Sequence, residues 1–242
     1  MKHNIINVKS ALAILAISVM CSCSKLDGEP ITQEFSIDGT YTELQVEDAF
    51  DVTVSDAVSQ VTVTAGDNIM SKVKVVESGD KLEIYLKGWT VSHGKMTVLL
   101  PVNPGLRKVN LSGASDFHGD IVAEKAEITL SGSSDFKGGV SASTLDLNVS
   151  GSSDATLEGM VGKLNLAISG SSDLEKKVVD NRYALACDEC KGSISGSSSA
   201  YIHCDGTINV SVSGSSDLHY TGNASTSSST TSGSSDITHD VL

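Results

Sequence analysis

Aromatic side chains are nearly missing from this sequence, with one Trp, five Tyr and four Phe in 242 residues. A core made without them has to rely on Val, Leu, Ile and Ala, a set that suits stacked strands. Arginine is rarer still: Arg107 and Arg182 are the only two. No helix-length apolar stretch follows the N-terminal ALAILAISVM (11–20), which excludes a membrane-spanning bundle. A mean hydropathy of +0.02 excludes a highly charged disordered chain as well. Positive charge is also short, 17 Lys and Arg against 30 Asp and Glu, for a net charge of −13. That balance argues against nucleic acid as a partner and against charge-driven binding to anionic lipid. A ligand drawn by the overall field would be cationic.

The first residues read as an export signal. Lys2 and Lys9 precede the apolar run, which ends in CSCS and is too short to span a bilayer comfortably. A small residue before Cys at this place resembles the bacterial lipobox. Cys23 follows Ser22, whereas Cys21 follows the bulkier Met20, so Cys23 is the expected lipidation site. The VMCS context departs from the usual Leu-Ala-Gly type. The expectation is a lipoprotein signal peptide over 1–22 and a tether over 23–34, with acyl chains that anchor without spanning. Loss of residues 1–22 removes Lys2 and Lys9 and no acid, moving the net charge from −13 to −15. The expected location is the outer membrane, on its periplasmic side or at the cell surface.

One word then recurs down the chain: LSGASDF from Leu111, LSGSSDF from Leu130, VSGSSDA from Val149, ISGSSDL from Ile168, VSGSSDL from Val212 and TSGSSDI from Thr231. A worn copy, ISGSSSA, starts at Ile194. Its glycines (113, 132, 151, 170, 196, 214, 233) are spaced by 19, 19, 19, 26, 18 and 19 residues. A fixed period near 20 marks stacked units that cannot bury their own apolar faces. Before each word the chain alternates, as in Leu164, Leu166 and Ile168, a period-2 strand with one face inside. Leucine-rich repeats, calcium-binding nonapeptide rolls and hexapeptide helices each need a register that is missing here. The expected fold is all-β: a right-handed parallel β-helix, a solenoid of about 19 residues per coil over 111–242.

In this reading SGSSD is a corner. Alternation from Ile168 aims Gly170 and Ser172 inward and Ser169, Ser171 and Asp173 outward. Serine hydroxyls can then hydrogen-bond up and down the stack. Asp116, Asp135, Asp154, Asp173, Asp217 and Asp236 form a candidate surface ladder, interrupted by Ser199. Carboxylates in such a file repel by about 1 kcal/mol per pair in water, so they must be solvated, matched with donors, or occupied by cations. Calcium wants six to eight ligands around one point, and neither a metal nor a cofactor is assigned.

The 26-residue step marks an insertion, 174–190, with Arg182, Tyr183, Cys187 and Cys190. Zinc would need further ligands, and the spacing matches no standard finger. Cys187 and Cys204 fall almost in one column, a candidate disulfide in an exported protein, with Cys190 left as a buried thiol. Residues 35–110 lack the word but are strand-rich (FDVTVS, QVTVTAG, KLEIYL), a β-rich lead-in that caps the stack. Residues 35–242 are expected to form one continuous domain.

The lead-in FDVTVS…VTVTAGD…KLEIYL…MTVLLPVNPGLRKVNLSGASD, followed by the serial SGSSD words, resembles the auto-transporter adhesin head GIN domain family of exported Gram-negative proteins. The likeness covers roughly 35–242. It implies a right-handed β-helix and an adhesin label, and it attaches no catalytic residues. The expected function is a lipid-anchored, non-catalytic cell-envelope module, adhesin-like or structural. Its expected partners are the membrane through the anchor, a glycan or envelope protein, and a second copy of the chain. The alternative is a carbohydrate-active β-helix enzyme acting on polysaccharide. Such chemistry needs an acid and a base in distinct environments at one cleft, whereas these carboxylates stand in a row. His93, His118, His203, His219 and His239 share no motif with a serine nucleophile.

Overall fold

The computed structural model describes residues 28–88 and 94–242. The signal peptide, Cys23, the start of the tether and His93 lie outside them. The chain is all-β, with a single short helix, Asp67–Met70, among the described residues, and 18 of its strands join one sheet that closes into a ring. No described helix is long and apolar enough to cross a membrane.

Three parallel ladders surround the core. The first contains Glu43–Val46 and Lys108–Leu111, then 127–130, 145–149, 164–168, 190–194 and 208–212. The second contains Phe50–Ser55, Asp116–His118, 135–138, 154–157, Asp173–Leu174, 199–203, Asp217–Thr221 and Asp236–His239. The third runs through 121–123, 140–142, 159–161, 185–187 and 203–204. The register follows the period of the sequence: Asp135 pairs with Asp154 and Val149 with Ile168, each 19 residues on. In Asp135–Val149 the inward residues are Phe136, Val140, Leu145, Leu147 and Val149. The phase of Phe136 and Val140 gives way at 143–144 to that of Leu145, Leu147 and Val149. In the next coil Phe136, Leu145, Leu147 and Val149 meet Ala155, Leu164, Leu166 and Ile168, while Val140 meets Gly159.

The tether expected up to residue 34 ends sooner. Pro30–Phe35 is a strand, antiparallel to Val61–Gly66, which itself runs antiparallel to Met96–Pro101. Val73–Ser78 likewise lies antiparallel to Lys81–Leu86. Antiparallel strands therefore cover this end of the parallel stack, as a sheet edge requires. Glu77 ties the cover down. Its carboxylate accepts from the N–H groups of Asp38 (2.5 Å), Gly39 (3.2 Å), Thr40 (2.9 Å) and Tyr41 (3.2 Å). Burial works to raise its pKa, but these four donors outweigh it and hold the carboxyl below its ordinary range.

The insertion is shorter than its sequence suggests. Leu185, Ala186 and Cys187 pair with Gly159, Met160 and Val161, and Cys190 with Leu164, so 185–190 belong to the ladders. What loops out is a hairpin, Val178–Val179 against Arg182–Tyr183. Its turn residues Asp180 and Asn181 have φ of 51° and 59°, the left-handed pair that a tight hairpin needs.

Candidate functional site

The SGSSD corner works through its backbone. Alternation would aim Gly170 inward, but its φ of +91° turns the chain and leaves it exposed, while Ser172 is fully buried. All seven corner glycines have φ between +79° and +92°. A Cβ on Gly170 would lie 2.4 Å from the carbonyl oxygen of Gly151 on the preceding coil. Only a residue without one lets the coils approach this closely.

The buried serines form a one-way relay in which each hydroxyl accepts from the backbone N–H of the coil before it. Ser115 N–H donates to Ser134 Oγ (3.4 Å), Ser134 to Ser153 (3.0 Å), Ser153 to Ser172 (3.2 Å), Ser172 to Ser198 (3.3 Å) and Ser198 to Ser216 (3.2 Å). The outward serines also reach across coils, Ser131 and Ser150 donating to the carbonyls of Leu111 and Leu130 at 3.2 Å. The hydroxyls thus bridge coils, though through peptide groups and not through one another. Removing one leaves a buried N–H unmatched, so Ser153→Ala should cost about 1–3 kcal/mol, measured by denaturant unfolding. A loss no larger than that of an exposed Ser→Ala change would show the relay to be incidental.

The six candidate aspartates do stand in one column. It also takes in Asp51, which pairs with Asp116. Sequence reasoning missed this lead-in corner because VEDAFD lacks the word. Its Asp48 holds a glycine-like φ of 73°, and its carbonyl accepts from Ala114 N–H at 2.6 Å. The available signal was the spacing from Asp48 to Asp51, equal to that from Gly113 to Asp116, with alanine at both 49 and 114.

Donors quiet the column. Asp154 Oδ1 accepts from Asp173 N–H (3.0 Å), Asp173 Oδ1 from Ser199 N–H (2.5 Å), and Asp217 Oδ1 from Asp236 N–H (3.1 Å). Lys95 reaches Asp51 at 2.8 Å. Burial raises the Asp116 carboxyl, helped by the charge of Asp135. It raises Asp154 too, against the pull of the Asp173 N–H and with the push of Asp135 and Asp173. Among the described residues no three His, Cys, Asp or Glu converge to hold a metal ion.

An acid whose pKa is higher folded than unfolded weakens the fold while ionised. That penalty fades as pH falls through the raised value. Asp154→Asn, which keeps an acceptor for the Asp173 N–H, should therefore raise the neutral-pH Tm by about 1–3 °C. Asp146 runs the other way: Lys125 at 2.7 Å, joined by the Asn165 amide, holds its carboxyl low against burial. Asp146→Asn should lower Tm at neutral pH and change little once the wild-type carboxyl is protonated. Thermal melts at pH 7 and at about pH 2 test both signs.

Cys187, Cys190 and Cys204 are buried and all three thiols are free. The expected disulfide is thus not present, although Cys187 and Cys204 are direct ladder partners. Cys190, and with it burial, pushes the Cys187 thiol up while Cys204 pulls it down. Cys187 and burial push Cys204 up.

The hairpin is fastened at its base. The N–H of the buried Tyr183 donates to Thr221 Oγ1 (3.2 Å), and its hydroxyl bonds Asp240 Oδ2, which His219 Nδ1 also meets at 3.1 Å. Tyr183 packs edge-on against Tyr201 at 5.4 Å, and Tyr201 stacks on His219 at 4.8 Å. Val178 and Val179 at the hairpin stay exposed.

The family model described as "Putative auto-transporter adhesin, head GIN domain" matches residues 40–224. No curated protein matches the chain. Among solved structures, a "putative adhesin" from Bacteroides fragilis aligns with a TM-score of 0.74 at 16% identity, over 90% of this chain and 98% of that one. A "putative adhesin" from Parabacteroides distasonis aligns at 0.64 and 21%, over 89% and 96%. A protein of the same organism described as a "Putative lipid binding protein" aligns at 0.61 and 17%, over 89% and 99%. At these identities the likeness establishes the fold.

Proposed function

We propose a function from the premise that this chain belongs to the auto-transporter adhesin head GIN domain family: it is an exported, non-catalytic, adhesin-like binding module. In this reading it is a lipoprotein anchored at Cys23 in the outer membrane, with a stiff body that holds its surface away from the bilayer. The ladders at a 19-residue register support reading that body as a right-handed parallel β-helix capped by the lead-in.

The observation that carries the reading is how the chain uses its polar groups. The repeated corners place a serine in one row and, except at Ser199, a carboxylate in another, and hydrogen bonds from these rows go to the backbone of adjoining coils. Catalysis by paired carboxylates would need convergence on one point instead. The hairpin breaks this regularity, a place where recognition commonly sits.

The test is binding of soluble residues 24–242 to a glycan array and to whole cells, with and without calcium. Saturable binding that is weakened by Val178→Ser with Val179→Ser would support an adhesin that uses the hairpin. Saturable binding that these changes leave intact would move the contact to another face. Silence on both surfaces would sink the adhesin reading, and hydrolysis of a polysaccharide panel would replace it with the enzyme.

A further inference from the structure

The third ladder begins abruptly. Residues 121–123 pair with 140–142, and no described strand pairs with them on the other side. A strand there would have to follow Phe50–Ser55, but the chain turns away through 56–60 into Val61–Gly66, which joins the antiparallel cover. Beside this gap opens a cavity of about 420 Å³, lined by Ser55 and Asp56 of one coil and Gly119 and Asp120 of the next. Val54, Leu100 and Leu106 give it aliphatic walls.

Tyr41 also lines it. This residue is 1% exposed, and its hydroxyl is buried with no hydrogen-bond partner among the described residues. Burial pushes the phenol up to about 12, the side chain of Asn103 pulls it down, and the charge of Glu77 adds to the rise. Asn103 is the polar neighbour, and its amide is already engaged with the backbone. Nδ2 donates to the Tyr41 carbonyl (2.7 Å) and Oδ1 accepts from Gly105 N–H (2.8 Å). A buried polar group left unmatched is costly and calls for an explanation.

The charged groups of the lining, Asp56 and Asp120, are acceptors. Gly139 N–H fixes Asp120 through Oδ1 at 2.7 Å, which leaves the other oxygen for a ligand. Asp56 stands exposed at the rim. Among the described residues no Lys, Arg or His lines the cavity, and the whole chain carries −13, so anions are disfavoured. The occupant has to bring donors and an apolar face. We propose that this cavity is a saccharide site for a neutral or amino sugar, whose hydroxyl or ammonium groups donate to Asp56 and Asp120 while its C–H face lies on the aliphatic wall. A volume of this size lies within the ordinary range of small-ligand pockets, roughly 300–1,000 Å³. The proposal rests on the adhesin reading and names the class of ligand for it.

The experiment is titration of soluble residues 24–242 by ligand-observed NMR with methyl glycosides of galactose, N-acetylglucosamine, glucosamine and glucuronic acid. Saturable binding of a neutral or amino sugar is expected, with the glucuronide at least about tenfold weaker. Val102→Trp should close the mouth, since Val102 lines the cavity and is 58% exposed, a position where folding is not at stake. Asp56→Asn with Asp120→Asn should weaken binding by about tenfold or more. Tyr41→Phe should leave stability unchanged or higher, because the hydroxyl it removes has no partner among the described residues. Sugar binding that survives Val102→Trp overturns the cavity and leaves the adhesin reading standing. So does preference for the glucuronide, or cell binding without any of these sugars. Silence toward both cells and sugars overturns the two together.

Discussion

Gly151→Val is expected to cost about 4–6 kcal/mol, a large part of the 5–15 kcal/mol typical of a folded domain. Two effects coincide. Gly151 has φ of +87°, where a β-branched residue is a steric outlier. Its new Cβ would also lie 2.5 Å from Gly132 O and 3.0 Å from Gly132 N. That carbonyl is the acceptor for Ser152 N–H at 2.8 Å, so relief of the clash pulls apart a coil-to-coil hydrogen bond. Gly79→Val isolates the first effect, since Gly79 has φ of +63° and a Cβ there would meet nothing within 4 Å; its cost should stay near 1–2 kcal/mol. Urea unfolding of the two variants decides the matter. Equal losses would mean that close stacking at the corner contributes little.

Phe136→Ala is expected to lose about 3–5 kcal/mol. Phe136 and Phe117 are fully buried and stacked at 5.0 Å between ring centres. They stand between Val52 and Ala155 in one column. Two bulky rings beside a small residue cannot be replaced by a shift of the backbone, because the ladders fix the spacing between coils. Phe136→Leu, which keeps most of the volume, should cost under about 1.5 kcal/mol. Truncating both rings should show coupling of about 0.5–3 kcal/mol, and strict additivity would mean that the rings pack independently. Since stacked units pass stability mainly to their neighbours, hydrogen exchange should quicken first in the adjoining coils.

The family was legible in the chain because its signature is written in series. Glycines 19 residues apart, with apolar columns in phase, leave few ways to stack, and the observed register matches them residue for residue from Asp135 to Val149. The inward serines were legible for the same reason. Gly170 was not, since alternation assumes an extended chain and a positive φ breaks it. The lead-in corner at Asp48 escaped because an aspartate there adopts the glycine conformation and the surrounding word differs.

By itself, then, the sequence determined the period, the strand faces and the corner. Each depends on residues close together in the chain, whose spacing and conformational range are local properties. Only the tertiary structure decided what happens where the period fails. It returned 185–190 to the ladders and left a short hairpin outside, because parallel strands must keep register while a turn can absorb extra residues. It spent the serines on peptide N–H groups, which are the donors that burial makes most costly to leave unmatched. It also left the third ladder one strand short, so that Tyr41, Asp56, Leu100 and Asp120, distant in the chain, line one cavity. No local pattern marks such a place, since it arises from the path of the chain.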